Sequence, residues 1–131
     1  MDIVIHHNPE CATSRNVLAI VKASGYEPNV IDYLKTGWTK PQLLGLFAAA
    51  GLNPRTALRE DKSPAKDLGL LAEGVAHEAI LAEMLKYPVL VNRPIVCTMK
   101  GVKLCRPSET VLSLLDQFPS QIFLKENGQP I

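Results

Sequence analysis

The first 33 residues carry the pattern that most restricts the fold of this chain. Ile3-Val4-Ile5 is an apolar run typical of a buried strand, and a second strand is predicted at Asn29–Tyr33. Between them, an amphipathic helix is expected to begin at Thr13 or Ser14, which are both good N-cap residues, and to end near Gly25. Two strands joined by a helix predict a parallel pair with a right-handed crossover.

A helical segment is predicted after the second strand. Thr39-Lys40-Pro41-Gln42 has the capping-box pattern and opens a helix that runs toward Gly51. Asn53-Pro54 predicts the start of a short helix, and a further helix is expected from about His77 to Lys86. Residues 61–75 are polar and rich in glycine and proline, so we expect them to be irregular.

The chain then becomes extended again. Ile95-Val96-Cys97 and Val102-Lys103-Leu104-Cys105 flank a Met-Lys-Gly turn, which predicts a β-hairpin. Pro107 is expected to start a last helix, and the tail from Lys125 to Ile131 is expected to fray.

The order of these elements is βαβ, then helices, then ββα. It is typical of an α/β protein with a mixed sheet and a thioredoxin-like core. We therefore predict a single domain over residues 1–131, with a helical insert at about residues 39–87. A domain of this size buries roughly two-thirds of its unfolded surface and needs no disulfide or metal to fold.

Composition argues against several classes of function. The net charge is +1, which gives no electrostatic reason to expect nucleic acid or a membrane surface as a partner. No apolar run approaches the ~18 residues of a membrane span, and the N-terminus does not resemble a signal peptide. Three cysteines without a C-x-x-C pair or zinc-site spacing fit a reducing compartment. We therefore expect a cytoplasmic protein without a bound metal.

Cys11 lies where the first predicted strand gives way to the first helix. Unpaired backbone N–H groups and the helix dipole favour an anion at such a place, and they lower the pKa of a thiol there. The hydroxyls of Thr13 and Ser14 could donate further hydrogen bonds to the sulfur. The alternative is a buried, inert cysteine at the end of a short strand.

Three arginines, Arg59, Arg93 and Arg106, are candidates for binding an oxyanion. Arg93 and Arg106 each precede a proline, and an X-Pro step fixes the backbone and so aims the preceding side chain. Arginine suits tetrahedral oxyanions because its planar fork donates paired, charge-assisted hydrogen bonds. Each arginine could instead form a surface salt bridge, because spacing alone does not show that the three converge.

The other polar residues near Cys11 are less decisive. Cys11 and Arg15 have Cys-x3-Arg spacing, whereas the phosphate loop of cysteine phosphatases needs Cys-x5-Arg, so we reject a phosphatase function. We expect Arg15 to lie in solvent or to form an ion pair. His6 and His7 point to opposite faces of an extended segment, and His7 has the parity of the buried strand residues. A protonated His7 would support a thiolate, whereas a structural histidine would hydrogen-bond to backbone.

Four segments of the chain carry a specific resemblance. They are His7-Asn8-Pro9-Glu10-Cys11-Ala12-Thr13-Ser14-Arg15-Asn16, Arg55-Thr56-Ala57-Leu58-Arg59, Asn92-Arg93-Pro94-Ile95-Val96 and Leu104-Cys105-Arg106-Pro107-Ser108-Glu109. Together, and in this order, they resemble the signature segments of glutaredoxin-coupled arsenate reductases. The resemblance implies that Cys11 is the nucleophile and that the oxyanion pocket is formed by Arg59, Arg93 and Arg106. It also implies that His7 and Ser14 support the thiolate, and that the Arg93-Pro94 bond is cis.

The same resemblance implies the reaction. Arsenate would be reduced to arsenite with glutathione as co-substrate, glutaredoxin would regenerate Cys11, and no organic cofactor or metal would be bound. Thioredoxins carry a second cysteine where this chain has Ser14, which counts against a dithiol oxidoreductase. Two alternatives stay open: a thioredoxin-fold module that senses redox state and binds a partner, and a glutathione-dependent reductase of another substrate. Cys97 and Cys105 are not expected to relay a disulfide.

Overall fold

The computed structural model describes the whole chain, Met1–Ile131, which divides into two compact units. One unit consists of Met1–Asp32 and Arg93–Ile131, and the other of Tyr33–Asn92. The second unit extends a few residues beyond the predicted insert at each end. That the two units fold as one domain stays a prediction. The chain has no helix long and apolar enough to span a membrane.

The first unit is a mixed four-stranded sheet with helices packed against it. Its elements are β1 (Val4–His7), α1 (Ala12–Ala23), β2 (Asn29–Asp32), β3 (Ile95–Thr98), β4 (Gly101–Leu104) and a 3₁₀ helix (Ser108–Leu114). The strand order is β2-β1-β3-β4, in which β1 and β2 are parallel and the other two pairs are antiparallel. The α/β class, the parallel pairing of the first two strands and the hairpin predicted from the sequence are therefore confirmed.

The core of this unit lies between one face of the sheet and the two helices. Ile5 pairs with Val30 of β2 and with Val96 of β3, so β1 lies between two neighbouring strands. The buried cluster consists of Ile3, Ile5, Val17, Ile20, Val21, Val96, Cys105, Val111, Leu114 and Leu115. Burying side chains of this size contributes about 1.5–3 kcal/mol each before entropy is subtracted. This packing fixes the start of α1 at the carboxyl end of β1.

The C-terminal tail is folded, and the prediction that it frays is wrong. The Lys125 N–H donates to the Gln129 carbonyl at 2.8 Å, and the Ile131 N–H donates to the Phe123 carbonyl at 3.3 Å. Gly128 makes the turn with a φ of 84°. Phe123 and Ile131 pack against the core cluster, which supplies the apolar burial that holds the tail. We call residues 123–131 the C-terminal hairpin.

The second unit is helical. Its elements are α2 (Tyr33–Thr36), α3 (Lys40–Ala50), α4 (His77–Lys86) and a 3₁₀ helix (Pro88–Leu90). Thr39 and Gln42 form the predicted capping box of α3, and Gly51 ends that helix in the left-handed region with a φ of 69°. The predicted bounds of α4 are confirmed.

Two predicted helices differ from the structure. Asn53-Pro54 opens a turn, because the Asn53 Oδ1 accepts from the Thr56 N–H and the Thr56 Oγ1 accepts from the Asn53 N–H, each at 2.9 Å. Such local side-chain hydrogen bonds compete with helix formation. The helix expected after Pro107 is present, but as a 3₁₀ helix.

Candidate active site

Cys11 is the N-cap residue of α1, so the helix begins before the predicted N-caps Thr13 and Ser14. Its backbone is extended, with φ −107° and ψ 121°, and its carbonyl accepts from the Arg15 N–H at 3.0 Å. The residue is buried, with 6% of its surface exposed. The sulfur therefore lies at the positive end of a 12-residue helix dipole.

Asn8 fixes the loop that leads into Cys11. Its carbonyl accepts from the Cys11 N–H at 3.1 Å, and its own N–H donates to the Ser14 Oγ at 3.0 Å. Its Oδ1 accepts from the Glu10 N–H at 2.9 Å, which is the geometry of an Asx turn. Asn8 was not among the residues predicted to act at the site, although an asparagine before proline at a strand end is a known signal for such a turn.

The structure places one of the three predicted arginines, Arg106, in contact with the sulfur, and a second, Arg93, acts on it through its charge. The Arg106 Nη1 donates to the Cys11 Sγ at 3.6 Å and to the Arg93 carbonyl at 3.1 Å. The positive charge of Arg93 also acts on the Cys11 thiol. The peptide bonds Arg93-Pro94 and Arg106-Pro107 are both cis; only the first was expected. Cys105, the neighbour of Arg106, is fully buried in the core, so the two side chains leave in different directions.

The electrostatic environment stabilises the Cys11 thiolate. Partial burial alone would raise the pKa of the Cys11 thiol. The Ser14 backbone N–H and the charges of Arg93 and Arg106 outweigh that penalty, so the pKa of Cys11 is lowered. Because the thiolate is the reactive form of cysteine, this site has the property that a nucleophile requires.

His7 and Ser14 contact each other in the loop beside Cys11. The His7 Nδ1 lies 2.7 Å from the Ser14 Oγ. The Ser14 hydroxyl is therefore engaged by His7 and by the Asn8 N–H, and it is the Ser14 backbone N–H that acts on the sulfur. Burial lowers the pKa of His7 and outweighs the opposing effect of Asp32, which favours the neutral imidazole over the protonated form.

The remaining histidine of β1 is structural. The His6 Nδ1 lies 3.0 Å from the Ile95 carbonyl, and His6 is buried. Burial is the main reason that the pKa of His6 is lowered.

Arg59 belongs to the second unit. It is 9% exposed, and its Nε donates to the Asp61 carbonyl at 2.9 Å. Its backbone N–H donates to the Leu90 carbonyl at 2.8 Å, which anchors the segment to the 3₁₀ helix there. Its role as a ligand of the oxyanion stays a prediction.

Arg15 forms an ion pair. Its Nε and Nη2 donate to the two carboxylate oxygens of Glu126 at 2.8 and 3.0 Å. Its Nη1 donates to the Pro9 carbonyl at 2.8 Å. Arg15 was expected either in solvent or in an ion pair, and the structure shows the ion pair. The carboxylate that Arg15 binds comes from the C-terminal hairpin.

The three cysteines differ in environment, and all are free thiols. Burial raises the pKa of Cys105 to about 12, and burial also raises the pKa of Cys97. Cys11 is thus the cysteine whose pKa is lowered. No group of three or more His, Cys, Asp or Glu side chains is placed to hold a metal ion.

A mixed α/β sheet that carries a cysteine of lowered pKa at a helix start, with a guanidinium group beside its sulfur, defines an α/β protein with a reactive cysteine. Residues 6–114 match the sequence profile of the ArsC family. The arsenate reductase ArsI2 of Synechocystis sp. is 66% identical over 129 residues, which cover 98% of this chain and 92% of that protein. The arsenate reductase of Escherichia coli is 44% identical over 130 residues, covering 99% and 92%. This chain belongs to the ArsC family.

The solved structures agree with the sequence relatives. The arsenate reductase from Vibrio cholerae superposes with a TM-score of 0.82 at 37% identity, covering 88% of this chain and 98% of that one. A putative arsenate reductase from Yersinia pestis superposes with a TM-score of 0.78 at 36% identity, covering 85% and 98%. The predicted family and the thioredoxin-like fold class are confirmed.

Proposed function

We propose that this chain is an arsenate reductase that uses the Cys11 thiolate as its nucleophile and glutathione as its co-substrate. The observation that carries the proposal is the Arg106 guanidinium, 3.6 Å from the Cys11 sulfur at the start of α1. A cation in that position serves two purposes, because it stabilises the thiolate and attracts an oxyanion to it. Relatives named as arsenate reductases, at 44% and 66% identity, support arsenate as that oxyanion.

The first chemical step forms a bond between sulfur and arsenic. Arsenate enters beside Arg93 and Arg106, whose charges offset its own, with Arg59 as the third proposed ligand. The Cys11 thiolate attacks As(V), and one arsenate oxygen leaves as water. His7 acts indirectly in this step, since its contact with the Ser14 hydroxyl holds the turn that aims the Ser14 N–H at the sulfur.

The second step transfers electrons. Glutathione adds to the arsenic, and the two sulfurs form a mixed disulfide on Cys11. Arsenic gains the two electrons that the thiols lose and departs as arsenite. Overall one oxygen of arsenate ends as water. Glutaredoxin then removes glutathione from Cys11 by thiol–disulfide exchange. No organic cofactor or metal takes part, and a reducing cytoplasm is the compartment we propose.

The chain's own cysteines are poor candidates for the second thiol. Ser14 stands where dithiol oxidoreductases carry their resolving cysteine. Cys105 is fully buried, and its Sγ donates to the Lys103 carbonyl at 3.7 Å. Raised pKa values make both Cys97 and Cys105 weak nucleophiles at neutral pH. These observations favour electrons from an external thiol.

The test is arsenate-dependent oxidation of NADPH, coupled through glutathione, glutathione reductase and glutaredoxin. Wild-type protein should support turnover only when arsenate, glutathione and glutaredoxin are all present. Cys11→Ser should be inactive although folded, because a serine hydroxyl is protonated and weakly nucleophilic at neutral pH. Turnover that survives in Cys11→Ser, or arsenite that is formed by the reduced protein without glutathione, would refute the proposal.

A further inference from the structure

The C-terminal hairpin touches both chain segments that build the anion site. One contact is the ion pair between Glu126 and Arg15 in the second turn of α1. The other is between Lys125 and Glu109, three residues after Arg106. The two segments are distant in sequence, and two adjacent residues of the hairpin, Lys125 and Glu126, each contact one of them.

The contact with α1 reaches the loop of the nucleophile. Glu126 holds Arg15 by two hydrogen bonds in a fork geometry, which is the strongest arrangement for an exposed ion pair. The third donor of the same guanidinium holds the Pro9 carbonyl at 2.8 Å. The Glu126 N–H also donates to the Asn16 Oδ1 at 3.0 Å. Glu126 thus fixes a guanidinium that spans from the hairpin to the loop two residues before Cys11.

The second contact reaches the segment of Arg106. The Lys125 Nζ lies 3.2 Å from the Glu109 Oε1, and the Ser108 hydroxyl donates to the same oxygen at 2.8 Å. Glu109 therefore connects the hairpin to the start of the 3₁₀ helix, directly after the Arg106-Pro107 bond. Movement of this turn would move the guanidinium that lies against the sulfur.

We infer that Glu126 and Glu109 are positioning residues, through which the C-terminal hairpin holds the Cys11 loop and the Arg106 turn in register for anion binding. The inference rests on the proposed function only in taking Cys11 and Arg106 as the anion site. It adds a role for residues 123–131, which lie beyond the stretch that matches the family.

Two alkylating reagents test this role without any arsenate turnover. Iodoacetate and iodoacetamide both convert the Cys11 thiolate to a thioether with release of iodide, but only iodoacetate carries a negative charge. The ratio of their rate constants at Cys11 therefore measures how well the nearby guanidinium groups receive an anion. It is read from intact protein at one pH, so it does not depend on the fraction of Cys11 that is ionised.

The variant Glu126→Gln separates positioning from simple charge. Loss of a negative charge near the site would by itself raise the iodoacetate preference, whereas loss of positioning lowers it. We expect the ratio to fall about threefold in Glu126→Gln and in Glu109→Gln, the size expected when one well-formed surface ion pair is lost. The KM for arsenate should rise in the same two variants.

Glu78→Gln is the matched control. It breaks the exposed ion pair with Lys40 in the second unit, at 3.4 Å, and makes the same change in net charge. Its ratio should equal that of the wild type. A ratio that stays constant or rises in Glu126→Gln overturns the inference, and so does an equal fall in Glu78→Gln. Failure of the proposed function would appear as absent arsenate turnover with a normal reagent ratio in the wild type.

Discussion

Replacing Arg106 by glutamine tests how the site activates Cys11. The side chain keeps its polarity and approximate length but loses its charge. In the structure the Arg106 Nη1 lies 3.6 Å from the Cys11 sulfur, and because the Arg106 side chain is exposed we take the full screening of water for its charge. A pair of unit charges at that distance interacts by about 1 kcal/mol in such a medium. The thiolate should therefore become about fivefold less populated wherever it is the minor form.

The assay is the pseudo-first-order rate of Cys11 alkylation by iodoacetamide across an acidic to alkaline pH series. On the acidic limb, Arg106→Gln should react about fivefold more slowly than the wild type, and the two rates should converge at alkaline pH. Lys40→Gln, which removes a cation from the second unit, should follow the wild-type curve. Superimposable curves for Arg106→Gln and the wild type would refute the argument that this guanidinium stabilises the thiolate.

Three other predictions follow from the environments of the cysteines. The pKa of Cys11 is lower in the folded chain than its ordinary value of 9.0. At pH values between the lowered pKa and 9.0, the unfolded chain therefore binds more protons than the folded chain. The free energy of unfolding of the wild type, relative to Cys11→Ser, should therefore rise with pH across that window, and a flat difference in urea melts would contradict the shift. Cys105, with a pKa of about 12 and no exposed surface, should resist iodoacetamide in native protein at pH values where Cys11 is fully modified, as peptide mapping will report. The double variant Cys97→Ser/Cys105→Ser should keep most of its glutathione- and glutaredoxin-dependent turnover. Burying a hydroxyl at position 105 is expected to lower the free energy of unfolding by about 1–3 kcal/mol in denaturant titrations. Loss of turnover in a folded double variant would implicate an internal disulfide.

The sequence was most informative where local rules decide the structure. The Thr39–Gln42 capping box and the amphipathic pattern of α4 depend on residues within a few positions of each other, and both predictions were confirmed. The helix predicted at Asn53-Pro54 is also a local prediction, but it is wrong because the reciprocal hydrogen bonds with Thr56 favour a turn over the first turn of a helix.

The details of the site depend on contacts that no local pattern specifies. The sequence pointed to Cys11, Arg93 and Arg106, but the distance of 3.6 Å between Arg106 and the sulfur follows from the pairing of β3 and β4 beside β1. The Ser14 hydroxyl accepts a hydrogen bond from the Asn8 N–H, so Ser14 does not cap the helix. The helix begins after Cys11 instead. The C-terminal hairpin was missed because its partner Arg15 lies 111 positions away in the sequence.

Mass spectrometry of Cys11 after a single turnover tests the proposed mechanism. Reduced protein is mixed with arsenate and glutathione in the absence of glutaredoxin, quenched with acid and digested without reductant. We expect a glutathione adduct on Cys11 that forms only when arsenate is present, together with one equivalent of arsenite, while Cys97 and Cys105 stay reduced. A disulfide between Cys11 and Cys97 or Cys105, or arsenite released while Cys11 stays unmodified, would contradict it.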